Sequence, residues 1–409
     1  MSVIIWGGVF FAYVLAGRLL IRQLRGVWRD GLFALMNIAG LYFFWMKGLG
    51  FVSHLDFLIY VLLVLVQFAM LYAFAEKPGG LPWLAFFTPI AMLVLVRYFP
   101  SAFSATGHFL FPQRVSTTTV ISLIGISYLA FRNSLLVLEI RNGKVKRPSL
   151  WRFLGYSFFV PTIPVGPINP YSNYCRAFEA SQPEIPIGRA ALRVIVGLVK
   201  YQFLGSLCNR LTYDGLLLDD HLHHWLDLPV AMVFYYLYLY CNFSGFCDMA
   251  IGAAGLMGIP VAENFDNPLV ARNMREFWNR WHITLSGWMR DVVFAPLSKF
   301  LVRVMGGGNT NHAIALTIFV VFLLIGIWHG VGWNYALFGL AQAVGVVTVH
   351  YYTIFLKKRL GRDGFKAYND SPWIHAVAVV ITFCYYAATL FLFANTVDEM
   401  KQIFSLLRW

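Results

Sequence analysis

Two histidines stand where a titratable group is expensive, and both could handle a proton. His329 lies in Ile327-Trp328-His329-Gly330, at the end of an otherwise apolar run that begins near Ala313. An ionisable side chain at membrane depth is a functional candidate by default. Burial lowers a histidine's affinity for protons, leaving a neutral imidazole with one lone pair open to accept. Gly326 and Gly330 flank it, so another backbone or a substrate can come close. The bland alternative is a histidine giving one hydrogen bond to a neighbouring helix carbonyl. His282 closes Glu276-Phe277-Trp278-Asn279-Arg280-Trp281-His282, which continues through Thr284 and Ser286 to Arg290-Asp291. On a continuous helix Trp278, Trp281 and His282 share one face. There the alternative is an aromatic belt with arginines reaching lipid phosphates.

Two further groups are weaker candidates. Asp248, in Asn242-Phe243-Ser244-Gly245-Phe246-Cys247-Asp248, sits near the end of an apolar run and wants a cationic partner. The basic residues of 272–290 are the expected source. His221, His223 and His224 beside Asp219 and Asp220 could ligate a metal, but no ligand spacing supports a site and a solvated loop is expected. The five cysteines (Cys175, Cys208, Cys241, Cys247, Cys384) contain no C-x-x-C pair and fit small buried apolar residues.

The elements that must carry these residues follow from composition. Of 409 residues 59% are hydrophobic and 12% charged, against about 25% charged in ordinary soluble domains. Too little polar surface remains to cover a soluble particle of this size, which excludes a soluble enzyme, a disordered scaffold and a disulfide-stapled module. The net charge of +13 resides in short clusters between apolar runs and forms no duplex-sized basic face. An all-α polytopic membrane protein is expected, with about ten or eleven transmembrane helices plus re-entrant or interfacial helices around a central cavity. Ten stretches are long and apolar enough or nearly so: 3–21, 31–46, 55–75, 81–97, 117–140, 189–208, 229–251, 313–329, 334–356 and 373–395. The first is not a cleavable signal, since its basic residues follow the apolar run.

Charge sets the orientation. Arg18, Arg22, Arg25 and Arg29 place the first loop in the cytoplasm and the N-terminus outside. Counting onward, the loop with Arg141, Lys144, Lys146, Arg147 and Arg152 is inside, and so is that with Lys357, Lys358, Arg359, Arg362 and Lys366. The loop at 209–228, acidic except for Arg210, is outside, as is the C-terminus.

Two segments are neither span nor loop. Residues 153–175 are apolar but carry Pro161, Pro164, Pro167 and Pro170, which no continuous helix tolerates. Residues 272–303 are rich in Trp and Arg and read as amphipathic helix at the cytoplasmic interface. Irregular backbone at membrane depth survives only where protein buries it or water lines it, so both segments point to a cavity open toward the cytoplasm. No internal repeat is evident, which weighs against inverted-repeat transporters.

With Trp328-His329-Gly330 ending one helix after Glu276–His282, the chain resembles the membrane-bound O-acyltransferase family. Gly125-Ile126-Ser127-Tyr128, Pro164–Ile168, Asn242–Gly252 and Glu263-Asn264-Phe265 agree in order. The resemblance runs from about Gly125 to the last span, while the first four spans match in character alone. It implies one membrane domain over 1–409: N-terminal spans to residue 100, a motif-bearing core at 117–356 and a final span at 373–395. Within the family the chain looks most like the bacterial branch that acylates envelope polymers, teichoic acid D-alanyl transferases above all, with alginate and other polysaccharide O-acetyltransferases as relatives. Two departures leave the substrate open: Gly339 is followed by Leu340-Ala341-Gln342-Ala343 where relatives often have His-Gly, and Pro296-Leu297-Ser298 stands where the alginate type has Leu-Gly-Gly.

The resemblance implies a multi-pass protein of the inner or plasma membrane, with no metal or resident cofactor. The acyl group, D-alanyl or acetyl, would pass from a cytoplasmic thioester on an acyl carrier protein or coenzyme A to a hydroxyl of a polymer outside. His329 would take the hydroxyl proton. His282 would hold the thioester or donate to the oxyanion. Trp328, Trp278, Asn279, Trp281, Ser286, Arg290 and Asp248 would line the substrates, and the rim of Arg272, Arg275, Arg280 and Arg290 would dock an acidic carrier or phosphates. Further envelope-modification proteins are expected as partners, and nucleic acid is not. The competing class is a transporter or channel with a histidine-lined path.

Overall fold

The computed structural model describes residues 3–47, 54–98, 125–179, 185–218, 221–330 and 332–408. The protein is an all-α polytopic membrane protein. Among the described residues six helical stretches are long and apolar enough to cross a bilayer: Phe57–Phe74, Ile187–Leu217, Asp227–Met257, Gly307–His329, Trp333–Asp370 and Pro372–Ala394, with Pro82–Tyr98 shorter but apolar. The chain divides into two compact units, residues 1–197 with 246–262, and residues 198–245 with 263–409.

The first unit begins with α1 (Val3–Gln23), α2 (Gly26–Leu41), α3 (His54–Phe74) and α4 (Pro82–Tyr98). The expected span at 117–140 falls partly outside the described residues; its described part is α5 (Ile126–Arg141). This helix does not face lipid. Arg132, Asn133, Ser134 and Glu139 on it are all buried; Ser134 donates back to the Phe131 carbonyl of its own helix, and the other three reach irregular backbone or another polar group. The Arg132 guanidinium donates to the Ser157 carbonyl at 3.0 Å and to Thr162 Oγ1 at 2.8 Å. Glu139 accepts from the backbone of Tyr171 and Ser172.

Those partners belong to the proline-broken segment. It folds as α6 (Leu150–Ser157), capped by the Ser149 hydroxyl, a short 3₁₀ turn at Val160–Thr162, and α7 (Tyr171–Arg176). Asn169 donates to the Pro260 carbonyl and accepts from the Ala262 amide. The segment was expected to border a cavity open toward the cytoplasm, its irregular backbone either buried by protein or lined by water. Residues 153–163 are packed away almost completely, so their freed backbone groups are satisfied by protein side chains. The later part of the segment does border a polar cavity of about 430 Å³ beside α6, where Tyr171 and Cys175 join Asp30, Lys144, Arg152 and Glu179 in its lining.

The helix α8 (Ile187–Leu198) continues through a wide turn into α9 (Gly205–Asn209), and α10 (Asp227–Met257) follows. Gly252 lets α10 approach α8: a Cβ there would lie 2.6 Å from Val194 and 2.8 Å from the Ala190 carbonyl. In the second unit come α11 (Met274–Arg280), α12 (Ile283–Met289), α13 (Ala295–Met305), α14 (Thr310–His329), α15 (Trp333–Asp370, kinked at Gly361), α16 (Pro372–Ala394) and α17 (Val397–Leu406). Pro372 opens α16 at a position that needs no backbone donor. Thr396 and Glu399 form a reciprocal capping box on α17. The helix α14 packs along α15, and α15 along α16. His223–His224 pairs in parallel with Leu407–Arg408, the one strand pair among the described residues.

Candidate active site

The Trp/Arg segment at 272–303 is helical, as expected, but in three pieces. It breaks at Trp281-His282. Residues 264–266 lie against the break: the Asp266 amide donates to the Arg280 carbonyl and the Ile283 amide to the Asn264 carbonyl, both at 3.0 Å, with an antiparallel bridge between Phe265 and Trp281. His282 takes a left-handed backbone (φ 46°, ψ 51°) and starts α12. Its side chain is thereby turned off the face that Trp278 and Trp281 would have shared with it on one helix.

His282 is 2% exposed. Its Nδ1 lies 3.2 Å from Asn264 Oδ1, and the same oxygen accepts from the Thr284 amide at 3.1 Å and the Thr284 hydroxyl at 2.8 Å. A backbone N–H can only donate, so the Asn264 atom facing it must be the oxygen. Nδ1 of His282 must then carry the hydrogen, and Nε2 is left with its lone pair. That Nε2 is buried with no hydrogen-bond partner among the described residues. Burial, reinforced by the charge His329 would carry, pushes the His282 pKa down to about 3. The ring is neutral at physiological pH, and its open nitrogen accepts. In this tautomer the one ring hydrogen faces Asn264.

The neighbours of the ring are aromatic. Phe243 of α10 meets it edge-on at 4.8 Å between centroids, and Trp328 of α14 lies 6.3 Å away. His329 follows at the last position of α14, its ring 4.6 Å from Trp328 and 5.0 Å from Phe393. It is half-buried, whereas His282 is fully buried. The α14 terminus is held by a close helix crossing. A Cβ on Gly326 would collide with the Tyr335 carbonyl and lie 3.0 Å from the Gly339 Cα.

The fold thus brings His282, Trp328 and His329 together, while Trp281 packs against Phe265 and Phe277. Trp278 is buried on the neighbouring turn, its Nε1 donating to Gln342 Oε1 at 3.3 Å, and Gln342 donates onward to Thr389 at 2.7 Å. Gln342 comes from the stretch that departs from the family's His-Gly, and the departure is a structural strut. Ser286 is half-buried, its hydroxyl 3.4 Å from the Trp281 carbonyl. Asn279 is exposed, and Arg290 is exposed beside Asp291 at 3.4 Å. Within the basic rim Glu276 bridges Arg272 at 3.0 Å and Arg280 at 2.8 Å. Burial works against the Glu276 charge, but hydrogen bonds from Arg272 and both arginine charges prevail and hold its pKa below the usual carboxylate value.

Asp248 belongs to the first unit and pairs there with Arg193, 3.0 Å away, a partner the sequence reading had not named. A cation one helix away on α8 satisfies it locally. His223 and His224 form a strand, the His224 amide bonded to Asp227; their expected neighbours Asp219 and Asp220 lie outside the described residues. Sequence reasoning missed Asn264 and Thr284 as site residues. Asn264 was quoted within Glu263-Asn264-Phe265, but no local spacing ties it to a residue eighteen positions on.

Residues 38–393 match the model of the membrane-bound O-acyltransferase family. The chain belongs to that family. It is similar to teichoic acid D-alanyltransferases of Streptococcus thermophilus (30% identity over 304 residues, 71% of this chain and 72% of that protein) and of Bacillus subtilis (30% over 282 residues, 68% and 69%). It is also similar to a probable alginate O-acetylase of Pseudomonas syringae, 28% identical over 248 residues, 57% of this chain and 45% of that protein. The protein is therefore an O-acyltransferase, and the histidine-bearing helices lie within the matched region.

Proposed function

We propose that this O-acyltransferase moves a D-alanyl group from a thioester presented on the cytoplasmic side, on a carrier-protein phosphopantetheine or coenzyme A, to a hydroxyl of a cell-envelope polymer outside. The observation that carries the reading is the pairing of His329 with a neutral, oriented His282 at one aromatic-walled point of the second unit. Similarity supports the acyl group: the matches spanning more than two thirds of both chains are D-alanyltransferases, and the alginate enzyme matches over less.

In this reaction the acceptor oxygen attacks the thioester carbonyl, and His329 takes its proton as the bond forms. The C–S bond then breaks, the sulfur leaves with a proton, and an ester remains. His329 is assigned the base on accessibility and on the weakness of its neighbour. A base works best when its pKa lies near the operating pH, and His282, at about 3, is a poor proton acceptor at pH 7. It serves instead as a fixed hydrogen-bond acceptor for the substrate group that reaches it. A positioned base is worth about 10²–10⁴-fold. His329→Ala should therefore lower ester content of the envelope polymer by at least about 10²-fold while the protein inserts at wild-type abundance. Mass spectrometry of polymer from cells lacking the protein and carrying either form reads this directly. Wild-type ester levels in the variant would overturn the assignment.

A further inference from the structure

We propose that Asn264 is a positioning residue for acyl transfer: with Thr284 it commits His282 to the tautomer whose Nε2 accepts, so that the group seated there must be a hydrogen-bond donor. The inference rests on the acyltransferase reading for its functional half, while its structural half stands alone.

The Asn264 oxygen faces three donors, the Thr284 N–H at 3.1 Å, the Thr284 O–H at 2.8 Å and Nδ1 of His282 at 3.2 Å. The amide cannot turn over without opposing its NH₂ to a backbone N–H that has a fixed direction. The Asn264 backbone is pinned as well, its carbonyl accepting from Ile283. The two residues that follow His282 thus fix Asn264, and the Asn264 oxygen holds the ring. A neutral imidazole has one hydrogen, and here it is spent on Asn264. The lone pair at Nε2 is buried and unmatched, among the aromatic rings of Phe243 and Trp328. A buried polar atom left without a partner calls for an explanation. A substrate donor supplies one, either an ammonium of the aminoacyl group or an amide N–H of the thioester arm. An ammonium would also gain from the aromatic faces around it.

Three variants in bilayer-reconstituted full-length protein test this: Asn264→Ala, Asn264→Asp and Thr284→Val. The first readout is the ¹⁵N spectrum of histidine-labelled protein, with His282 assigned by its loss in His282→Asn. The second is the pH profile of acyl transfer. In wild type the His282 ring should show protonated Nδ1 and bare Nε2 at pH 7. Asn264→Ala should move the ring toward the other tautomer and lower transfer roughly 10–100-fold, the range seen when the partner orienting a functional histidine is removed. Asn264→Asp keeps an acceptor but adds charge. It should preserve the tautomer, hold the ring protonated to higher pH, and shift the acid limb of the profile upward. Thr284→Val leaves the backbone donor in place and should give a smaller loss. An unchanged ¹⁵N signature in Asn264→Ala, or a changed tautomer with wild-type transfer, overturns the proposal. If wild-type protein transfers no acyl group at all, the enzymatic reading fails, and the tautomer measurement still decides whether Asn264 sets the ring.

Discussion

His282 carries a side chain that chemistry would use on a backbone that most residues avoid. Its φ of 46° is left-handed, a conformation in which asparagine is among the few tolerated non-glycine residues. Asparagine also presents an amide N–H near the position of Nδ1, so His282→Asn should keep both the turn and the bond to Asn264 while deleting Nε2. The variant is expected to fold and insert normally and to lose transfer, whereas His282→Val should lose folded protein as well; abundance in the membrane and ester content separate the two. The same substitution exposes a pH term. The folded-state pKa of about 3 lies below the unfolded value near 6.5. Between those values the unfolded chain binds the proton and the folded one does not. The stabilisation is therefore complete above about pH 6.5 and is lost as pH falls toward 3. His329 is the titratable neighbour that deepens the shift. Relative to wild type, His282→Asn should show a shallower fall of melting temperature between pH 6.5 and 4.5. Parallel slopes for the two proteins would show that the ring is not held neutral.

At the scale of elements, the site depends on how closely two spans cross. Gly326 on α14 and Gly339 on α15 face each other, their Cα atoms too near for any side chain between them. Small residues permit such approach where lipid supplies no hydrophobic drive for helices to associate. The Gly339→Ala substitution would press a methyl into the Phe322 carbonyl and separate the helices near Trp328-His329. Overpacking of this kind costs about 1–3 kcal/mol, and here it also displaces the base. A lowered melting temperature together with a transfer loss larger than the loss of folded protein is the expected outcome. Unchanged kinetics would mean that the α14 terminus is set by other contacts. The elements also show what the residues foretold. The apolar run ending in His329 and the breakage of 153–175 by four prolines were legible, because length and proline act locally. The Trp278–His282 face was not, because the break comes from pairing with residues 264–266, a contact between segments that no periodicity reports. For the same reason the pairing of Asp248 with Arg193 on a neighbouring helix was not legible.

For the whole molecule, the proposed direction of transfer depends on which face each loop meets. Charge was the informative quantity: two strongly basic loops and one acidic loop agree on a single orientation. Lys144 is exposed on its basic loop, Lys358 is exposed on α15, which runs through the basic stretch expected as a loop and kinks there at Gly361, and Arg210 is exposed beside the acidic stretch. In a background with the five native cysteines replaced, Lys144→Cys and Lys358→Cys should resist a membrane-impermeant thiol reagent in intact spheroplasts and react after permeabilisation. Arg210→Cys should react in both. The choice of three sites matters because a miscounted hairpin between residues 152 and 210, or between 210 and 357, would reverse one answer and not the others. Labelling of Lys144→Cys from outside would invert the proposed route, putting the thioester and the polymer on the wrong sides of the His282–His329 pair. A single exception at Lys358→Cys would instead relocate the later loops while leaving the first-loop argument intact. The pattern of the three therefore tests whether an acyl group enters from the carrier side and leaves as an ester outside.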